Sequence, residues 1–247
     1  KAVGIIPARF GSTRFPGKPL AMIAGKPMIR RVYENALKAE FLDDVFVATD
    51  DDRIASCIRE IDGKYIMTDS AIDTGTERVA IAARDIDADI ILNIQGDEPL
   101  APPELLNNLI HAMRADEGIP VCTPVVQIDS LRDLEDPNQV RVVIDKNNRA
   151  LFFTRSVIPF NREVQDTEDW LRETAYWKHI GIYCFRKEFL LEFVRMPRGE
   201  LEKVEKLEQL RILENGYPIL AVKTDYSPVC VDVPEDIDIV EKHLMNM

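Results

Sequence analysis

The chain lacks the features that mark several common classes of protein. Its 4 cysteines are scattered without a C-x-x-C pair, and its 3 histidines have no spacing suited to zinc, which argues against a disulfide scaffold and a zinc site. No apolar run approaches the ~20 residues that cross a bilayer, and the apolar stretch before Pro7 is too short for a secretory signal. We therefore expect a cytoplasmic protein with no membrane partner and with cysteines kept reduced.

Two phosphate-binding motifs are also missing. The sequence contains no G-x-x-x-x-G-K-[ST], which excludes a Walker loop, and no G-x-G-x-x-G, which disfavours a dinucleotide fold. The formal net charge is −12, so general attraction to nucleic acid or to an anionic membrane is not expected. At 247 residues and 46% hydrophobic content, the chain suits one domain, with room for a smaller embedded lobe.

What the chain does have is a cationic loop behind its first apolar run. Val3 to Ile6 predicts a buried strand, which Pro7 ends. The next residues combine three cations, two glycines and two hydroxyls: Arg9, Arg14, Lys18, Gly11, Gly17, Ser12 and Thr13. Glycines let the backbone approach a ligand closely, and cations match phosphate charge. We predict a triphosphate-binding loop at the carboxyl end of the first strand; a solvated basic turn is the alternative.

The order of the elements predicts an α/β fold. Strands over 45–48, 65–67 and 90–94 alternate with helices over 27–39, 52–61, 76–84 and 103–114, which indicates a mostly parallel sheet with helices on both faces. Later strands, over 121–128, 140–145, 150–154 and 178–185, follow one another without long helices, and 161–175 reads as a mobile loop. Helices over 188–194 and 201–215, a strand over 219–222 and a terminal helix complete the chain. We predict one domain, 1–247, with an embedded β-rich lobe over about 126–183.

Two carboxylates stand where strands are predicted to end. Asp97 closely follows the strand 90–94, at the sheet edge where α/β proteins bind ligands, and its carboxylate suits Mg²⁺ shared with phosphate oxygens. A turn aspartate that caps its own backbone is the alternative. Asp232 lies between a short apolar run and a predicted helix, so taken alone it is equally a helix N-terminal acceptor. The two together favour a metal site.

Several polar residues could contact other parts of a ligand. The turn Thr74-Gly75-Thr76 could read a base, although Thr76 with Glu77 also fits an ordinary helix cap. Arg155 at a strand end suits a carboxylate, and the positions His179 and Tyr183, four apart on one strand, predict a shared face. A lone histidine is more often structural than catalytic, although here a functional role is favoured over a structural one. The spacing within helix 201–215 places three side chains on one polar face: Glu205, Glu208 and Gln209. This face could contact a ligand, and the alternative is that it is simply turned to solvent.

These motifs together resemble the 3-deoxy-manno-octulosonate (Kdo) cytidylyltransferases over nearly the whole chain. They are, in order, 6-IPARFGSTRFPGKPL-20, 93-NIQGDEP-99, 178-KHIGIY-183, 207-LEQLR-211 and 231-VDVPED-236. The resemblance implies a nucleotide-diphospho-sugar transferase-like fold, Mg²⁺ as cofactor, a homodimer with a face on the embedded lobe, and the reaction CTP + Kdo → CMP-Kdo + pyrophosphate for lipopolysaccharide biosynthesis. One departure is Val233, where the family commonly has threonine, and residues 161–176 carry no family pattern.

The resemblance also implies roles for individual residues. Arg9 and Lys18 would hold the triphosphate and stabilise charge at phosphorus, and Asp97 and Asp232 would bind the metal. The remaining nucleotide contacts would come from Ala8, Thr74, Gly75, Thr76 and Gln95. The acidic eight-carbon sugar would be held by Gln95, Arg155, His179, Tyr183, Glu208 and Gln209.

The chemistry agrees with this reading, because direct attack of the sugar hydroxyl on the α-phosphate needs positioning and charge neutralisation more than a reactive side chain. Two alternatives stay open. The sugar could be another ulosonate, such as 8-amino-Kdo or an acylneuraminate, and the protein could be a non-catalytic sugar-nucleotide sensor.

Overall fold

The structure is a computed structural model that describes residues 1–11 and 15–245, except for the side chain of Glu168. Ser12, Thr13 and Arg14 of the predicted anion-binding loop lie outside the described residues. The strands are β1 (Ala2–Ala8), β2 (Met22–Ile23), β3 (Lys26–Pro27), β4 (Asp44–Thr49), β5 (Lys64–Met67), β6 (Ile90–Asn93), β7 (Val121–Gln127), β8 (Arg141–Ile144), β9 (Ala150–Thr154), β10 (Trp177–His179), β11 (Tyr183–Arg186) and β12 (Ile219–Thr224).

The helices follow the strands in the alternation that the first half of the sequence predicts. They are α1 (Met28–Ala36), α2 (Asp52–Arg59), α3 (Gly75–Ala83), α4 (Pro103–Ala115), α5 (Leu131–Glu135), α6 (Thr167–Glu173), α7 (Lys187–Phe193), α8 (Glu200–Glu205), α9 (Gln209–Glu214) and α10 (Asp236–Met245). Across the described residues, none of them has both the length and the apolar character that a bilayer crossing requires.

Ten strands form one mixed sheet around a parallel core. The strand order is β5-β4-β1-β6-β11-β7-β10-β8-β9, with β12 parallel to β7. Strand β1 pairs in parallel with β4 on one side and with β6 on the other. Since successive strand residues point to opposite faces, Ile6 packs on one core cluster and Ile5 on the other, and both are fully buried. The predicted α/β sheet is confirmed.

Helices cover both faces, as predicted. Helices α1, α2 and α4 contribute to the first core cluster, and α3, α7 and α9 contribute to the second. The segment 126–183 contains α5, α6 and the strands β8, β9 and β10, and these three strands extend the main sheet beyond β7. Strand β9 lies at the edge, with Leu151 exposed on it.

The single strand predicted over 178–185 is wrong, because two strands occupy it. Strand β10 pairs with β8 and with the end of β7, whereas β11 pairs with β6 and with the start of β7. Between them, Ile182 N–H donates to Ile180 O at 2.8 Å, which forms a tight turn that changes the pairing partners.

The single helix predicted over 201–215 is also wrong. Lys206 adopts a left-handed conformation (φ 57°) that ends α8, and α9 begins three residues later. Val204 on α8 is 81% exposed, whereas Leu207 and Leu210, which follow the break, are buried. Contacts from elsewhere in the chain favour the break: the Glu205 carboxylate accepts from Thr154 Oγ1 at 2.5 Å.

Residues 161–175 are not the loop predicted from their polarity, because they contain α6. Trp170 on this helix is buried in a small cluster with Ile128, Leu134 and Tyr176. The indole N–H donates to Val164 O at 2.8 Å. One buried aromatic residue therefore anchors a segment whose other residues are mainly polar.

Candidate functional site

A crevice of about 280 Å³ lies at the carboxyl ends of β1 and β6. The chain runs from β1 to β4 on one side and later to β6 on the other, so this is the switch point at which open α/β sheets bind ligands. Gly96 packs so closely here that a Cβ would lie 3.0 Å from Pro7 O. The predicted residues that line the crevice are Ala8, Arg9, Lys18, Thr74, Gly75, Gln95, Asp97 and Asp232.

Lys18 occupies the centre of the polar wall. Its Nζ donates to Asp97 Oδ2 at 2.7 Å and to Val231 O at 2.8 Å, and lies 3.6 Å from Asp232 Oδ1. The lysine side chain is 16% exposed, so these interactions are only partly screened by water. The predicted cationic loop and both predicted carboxylates therefore meet at one ammonium group.

The fold of the loop directs Lys18 inward. Gly17, with φ 73°, donates its N–H to Phe10 O at 3.0 Å and lies against the Phe10 ring, where a Cβ would be 3.2 Å from the ring atoms. The Arg53 guanidinium stacks on the same ring, 3.3 Å from its centroid, and pairs with Asp51 at 2.7 Å. This packing fixes both described ends of the loop.

The carboxylate pair fits a divalent cation that is completed by its substrate. Within residues 1–11 and 15–245, no group of three or more acidic, histidine or cysteine side chains converges to form a complete metal cage. The carboxylates of Asp97 and Asp232 nevertheless both face the same positive charge, the ammonium group of Lys18. Mg²⁺ is usually bound by one or two carboxylates together with substrate phosphates, so the donor set suits it.

The segment that carries Asp232 is tied to the segment that carries Asp97. Val231 N–H donates to Asp97 O at 3.1 Å. The Asp236 carboxylate accepts the N–H groups of Asp232 at 2.7 Å and Val233 at 3.0 Å, which fixes the entrance to α10. Val233, where the resemblance leads one to expect threonine, therefore contributes a backbone contact at this point.

Glu98 is a buried acid behind the crevice that sequence reasoning missed. It is 4% exposed, and its carboxylate accepts from Tyr226 Oη at 3.1 Å and from Cys230 Sγ at 3.0 Å. Burial raises its pKa to about 7, and the Asp97 charge adds to the rise, whereas the thiol and phenol hydrogen bonds oppose it. These contacts hold the chain preceding Asp232 against the loop that carries Asp97.

The beginning of α3 forms the opposite wall. Thr74 is the helix cap, since its hydroxyl accepts from Glu77 N at 3.1 Å, so the capping role considered for Thr76 is wrong. Gly75 lies against Pro7, where a Cβ would be 3.4 Å from the ring. Arg78, a buried crevice residue without a sequence signal, donates to Thr68 and lies 3.2 Å from Asp50 Oδ2.

Thr76 belongs to a hydrogen-bonded chain that leads away from the crevice. Gln95 lies 3.5 Å from Asn93 Oδ1, Asn93 Nδ2 donates to Thr76 Oγ1 at 3.1 Å, and the Thr76 hydroxyl donates to Glu208. Burial raises the pKa of the Glu208 carboxyl, and the Thr76 hydrogen bond opposes that rise. The chain thus connects the crevice to a second group of predicted residues.

That second group lies around β11 and α9. Tyr183 pairs with Asn93 across the strands, and its ring centroid is 5.3 Å from that of His179. Burial, with the Glu208 charge, raises the pKa of the Tyr183 phenol, so it stays protonated. Gln209 is 4% exposed, and its Nε2 finds no hydrogen-bond partner in the part of the chain that the structure describes. An unpaired buried amide is costly, which makes it available for a ligand.

Arg155 stands apart from the crevice. Its Nε donates to Glu205 O at 3.2 Å and its Nη1 to Pro137 O at 3.2 Å and Asn138 O at 3.3 Å. The shared polar face predicted for Glu205, Glu208 and Gln209 is wrong, because the helix ends at Lys206 and a second helix begins at Gln209. Glu205 instead bonds to Thr154 and to the Arg155 backbone, whereas Glu208 faces Thr76.

Comparison with known proteins gives matches over nearly the full length. The sequence profile described as "Cytidylyltransferase" matches residues 3–224. A 3-deoxy-manno-octulosonate cytidylyltransferase from Trichlorobacter lovleyi is 48% identical, covering 96% of this chain and 95% of the relative. One from Geobacter metallireducens is 47% identical, covering 98% and 97%. The solved structure of a CMP:2-keto-3-deoxy-manno-octonic acid synthetase complexed with CTP is similar at a TM-score of 0.93 and 38% identity, covering 100% and 99%.

Proposed function

The chain belongs to the 3-deoxy-manno-octulosonate cytidylyltransferases, within the cytidylyltransferase family, and we propose that its crevice beside β1 and β6 is the active site. It is a nucleotidyltransferase that activates Kdo with CTP, forming CMP-Kdo and pyrophosphate for lipopolysaccharide biosynthesis. The observation that carries the assignment of the site is the convergence of Lys18, Asp97 and Asp232, 2.7 and 3.6 Å from the lysine Nζ.

The nucleotide enters beside β1. Arg9 and Lys18 bind the triphosphate, whose negative charge both cations match. Ala8, Thr74 and Gly75 contact the cytosine, supported by their position along the crevice wall, where α3 begins. Thr76 supports this turn from behind, because its hydroxyl is engaged by Glu208. Gln95 lies between the nucleotide and the sugar.

Asp97 and Asp232 hold Mg²⁺ together with the phosphates of CTP. When bound, the cation neutralises charge on the triphosphate and polarises the phosphate oxygens. The support is the fit of the carboxylate pair to a cation that is completed by substrate. Lys18 then keeps its contact with Val231 O, which is independent of either carboxylate and holds the ammonium in the crevice.

The sugar is positioned by the group that the hydrogen-bonded chain joins to the crevice. Its anomeric hydroxyl attacks the α-phosphate and pyrophosphate departs, with no covalent intermediate on the protein. Glu208, Gln209, His179 and Tyr183 bind the sugar, supported by the unpartnered amide of Gln209. Arg155 binds the sugar carboxylate after exchanging its main-chain partners, since Arg and carboxylate pair well.

The cellular setting and the assembly are part of the same proposal. All 4 cysteines, which lie within the described residues, are free thiols, which supports a reducing cytoplasm. We assign a homodimer whose face includes the segment 126–183, because Leu151 and Phe160 there are 60% and 76% exposed. Light scattering on purified protein tests the dimer; a monomer at micromolar concentration contradicts it.

The reaction is tested by measuring pyrophosphate release with CTP, Kdo and Mg²⁺, leaving out each in turn. Release is expected only when all three are present, and addition of EDTA should stop it. Replacing Kdo with 8-amino-Kdo or an acylneuraminate tests the sugar, and faster release with either would displace Kdo as the preferred substrate. Pyrophosphate release that does not depend on any sugar would contradict the transfer reaction.

A further inference from the structure

Thr123, a fully buried residue of β7, contacts the His179 ring. Its Oγ1 has three hydrogen-bonding neighbours: Ile182 O at 2.8 Å, His179 Nε2 at 2.9 Å and Ile180 O at 3.1 Å. Both carbonyls belong to the tight turn between β10 and β11. Thr123 therefore joins this turn to the histidine ring.

Counting protons assigns the direction of each hydrogen bond. A threonine hydroxyl has one proton to donate, whereas a carbonyl oxygen can only accept. If the proton pointed to His179, two carbonyl oxygens would face the hydroxyl oxygen at 2.8 and 3.1 Å with no proton between them. The proton is best placed towards Ile182 O, the nearer carbonyl, since Ile180 O already accepts from Ile182 N–H. In that arrangement His179 Nε2 carries a hydrogen and donates it to Thr123.

The same ring is neutral and has one free acceptor. Burial lowers the pKa of His179 to about 3, so it carries no charge near pH 7. A neutral imidazole with hydrogen on Nε2 has a lone pair on Nδ1. Within residues 1–11 and 15–245, Nδ1 makes no hydrogen bond, and it is not fully buried, so a ligand can reach it. The rings of Phe153 and Tyr183, whose centroids lie 5.2 and 5.3 Å from that of the imidazole, hold it in place.

We infer that Thr123 is a positioning residue that fixes His179 with its proton on Nε2, so that Nδ1 accepts a hydrogen bond from a hydroxyl of the sugar. The identity of the donor rests on the proposed function, whereas the protonation pattern does not. An acceptor-only site favours a hydroxyl and disfavours a carboxylate, because two acceptors cannot share a proton that neither has. Thr123 thereby helps to direct the sugar carboxylate away from His179.

Nitrogen NMR tests the protonation pattern directly in ¹⁵N-histidine-labelled full-length protein, with or without ligands. The chain has 3 histidines, and variants His111→Gln and His243→Gln assign the spectrum. For His179 we expect a protonated, pyrrole-like Nε2 and an unprotonated, pyridine-like Nδ1. His243 provides a contrast, since its Nδ1 lies 2.8 Å from Ile239 O and donates to it. A pyrrole-like Nδ1 in His179 would overturn the inference.

A matched pair of variants tests the role of Thr123. Thr123→Val keeps the shape and removes the hydroxyl, so both nitrogens of His179 should shift towards the average of the two tautomers. Thr123→Ser restores the hydroxyl and should restore the wild-type spectrum. Thermal unfolding of both variants identifies a general loss of folding, and the spectrum is then compared below the transition. An unchanged His179 spectrum in Thr123→Val contradicts the positioning role.

Addition of Kdo and steady-state kinetics test the acceptor role. Kdo should shift the wild-type Nδ1 signal upfield, and Thr123→Val should raise the KM for Kdo about fivefold, the effect of one neutral hydrogen bond, with the KM for CTP unchanged. If the tautomer is as expected but neither effect occurs while pyrophosphate is still formed, the acceptor role fails and the proposed function stands. If the wild type forms no pyrophosphate with CTP and Kdo, the proposed function fails, and the NMR result on the tautomer is unaffected.

Discussion

Replacing Asp97 by asparagine separates the catalytic role of this carboxylate from its role in folding. The amide oxygen of the new side chain can still accept from Lys18 Nζ, which lies 2.7 Å from the native Oδ2. The backbone carbonyl at position 97 still accepts from Val231 N–H at 3.1 Å. Because the carboxylate is 30% exposed, loss of its charge should lower the free energy of unfolding by only about 1 kcal/mol. For a chain of this size, that corresponds to a fall in Tm of about 3 °C.

The effect on turnover should be much larger. A neutral amide is a weak ligand for Mg²⁺, so the variant loses charge neutralisation that the transition state needs. We expect the barrier to rise by about 3 kcal/mol, which is a fall in kcat of about a hundredfold. The Mg²⁺ concentration for half-maximal rate should rise as well. Both quantities come from continuous pyrophosphate-release measurements at saturating CTP and Kdo over a series of Mg²⁺ concentrations.

The matched control is Asp87→Asn, the same change at a carboxylate that is 99% exposed and remote from the crevice. It should leave kcat, the Mg²⁺ dependence and Tm at wild-type values. Wild-type kcat and Mg²⁺ dependence in Asp97→Asn would refute the metal role. A large fall in Tm in that variant would instead show that Asp97 is mainly structural, and the kinetic loss could not then be assigned to the cation.

Three further predictions concern stability, each measured by denaturant unfolding. Burial lowers the pKa of His179 to about 3 from its ordinary 6.5, so between those pH values only the unfolded chain takes up this proton. Glu98, whose pKa of about 7 lies above its ordinary 4.5, acts in the opposite direction in both proteins, so lowering the pH from 7 to 5 should cost the wild type about 2 kcal/mol relative to His179→Gln. The same pH dependence in both proteins would contradict this. Arg211→Met leaves the buried Glu202 carboxylate without its partner at 2.7 Å and should lower the free energy of unfolding by about 3 kcal/mol. Adding Glu202→Leu to this variant should recover much of the loss, and no recovery would refute the pairing argument. Lys206→Gly should stabilise by about 1 kcal/mol, because glycine adopts φ 57° without strain, and a loss would show that the lysine side chain matters more.

The crevice was predictable because its charged residues sit next to local signals. Lys18 and Arg9 follow an apolar run ended by Pro7, and Asp97 follows the apolar run of β6, so the local sequence alone places each at the carboxyl edge of the sheet. Parallel strands place those edges together, and Lys18 does meet Asp97 at 2.7 Å. Asp232 is ambiguous from the sequence alone, and the structure places its Oδ1 3.6 Å from the same Lys18 Nζ that Asp97 contacts.

The polar residues behind the crevice were not predictable, because their roles depend on contacts between distant segments. Glu98 becomes a buried acid only when Tyr226 and Cys230, more than a hundred residues later, close over it. Arg78 looks like an ordinary helix residue until the ends of β4 and β5 surround it. Likewise, the spacing of residues 201–215 does not predict that the helix ends at Lys206, where the neighbouring Glu205 carboxylate accepts a hydrogen bond from Thr154.

The pair His179 and Tyr183 shows how a correct contact can come from an incorrect structure. Their spacing predicted a shared face of one strand, and their ring centroids do lie 5.3 Å apart. In the structure, however, the strand is interrupted: β11 pairs with β6, whereas β10 pairs with β8. The tight turn at the interruption brings the carbonyls of residues 180 and 182 within 3.1 and 2.8 Å of the Thr123 hydroxyl. The interruption therefore accounts for the direction of the Thr123–His179 hydrogen bond, and hence for the acceptor that we assign to the sugar.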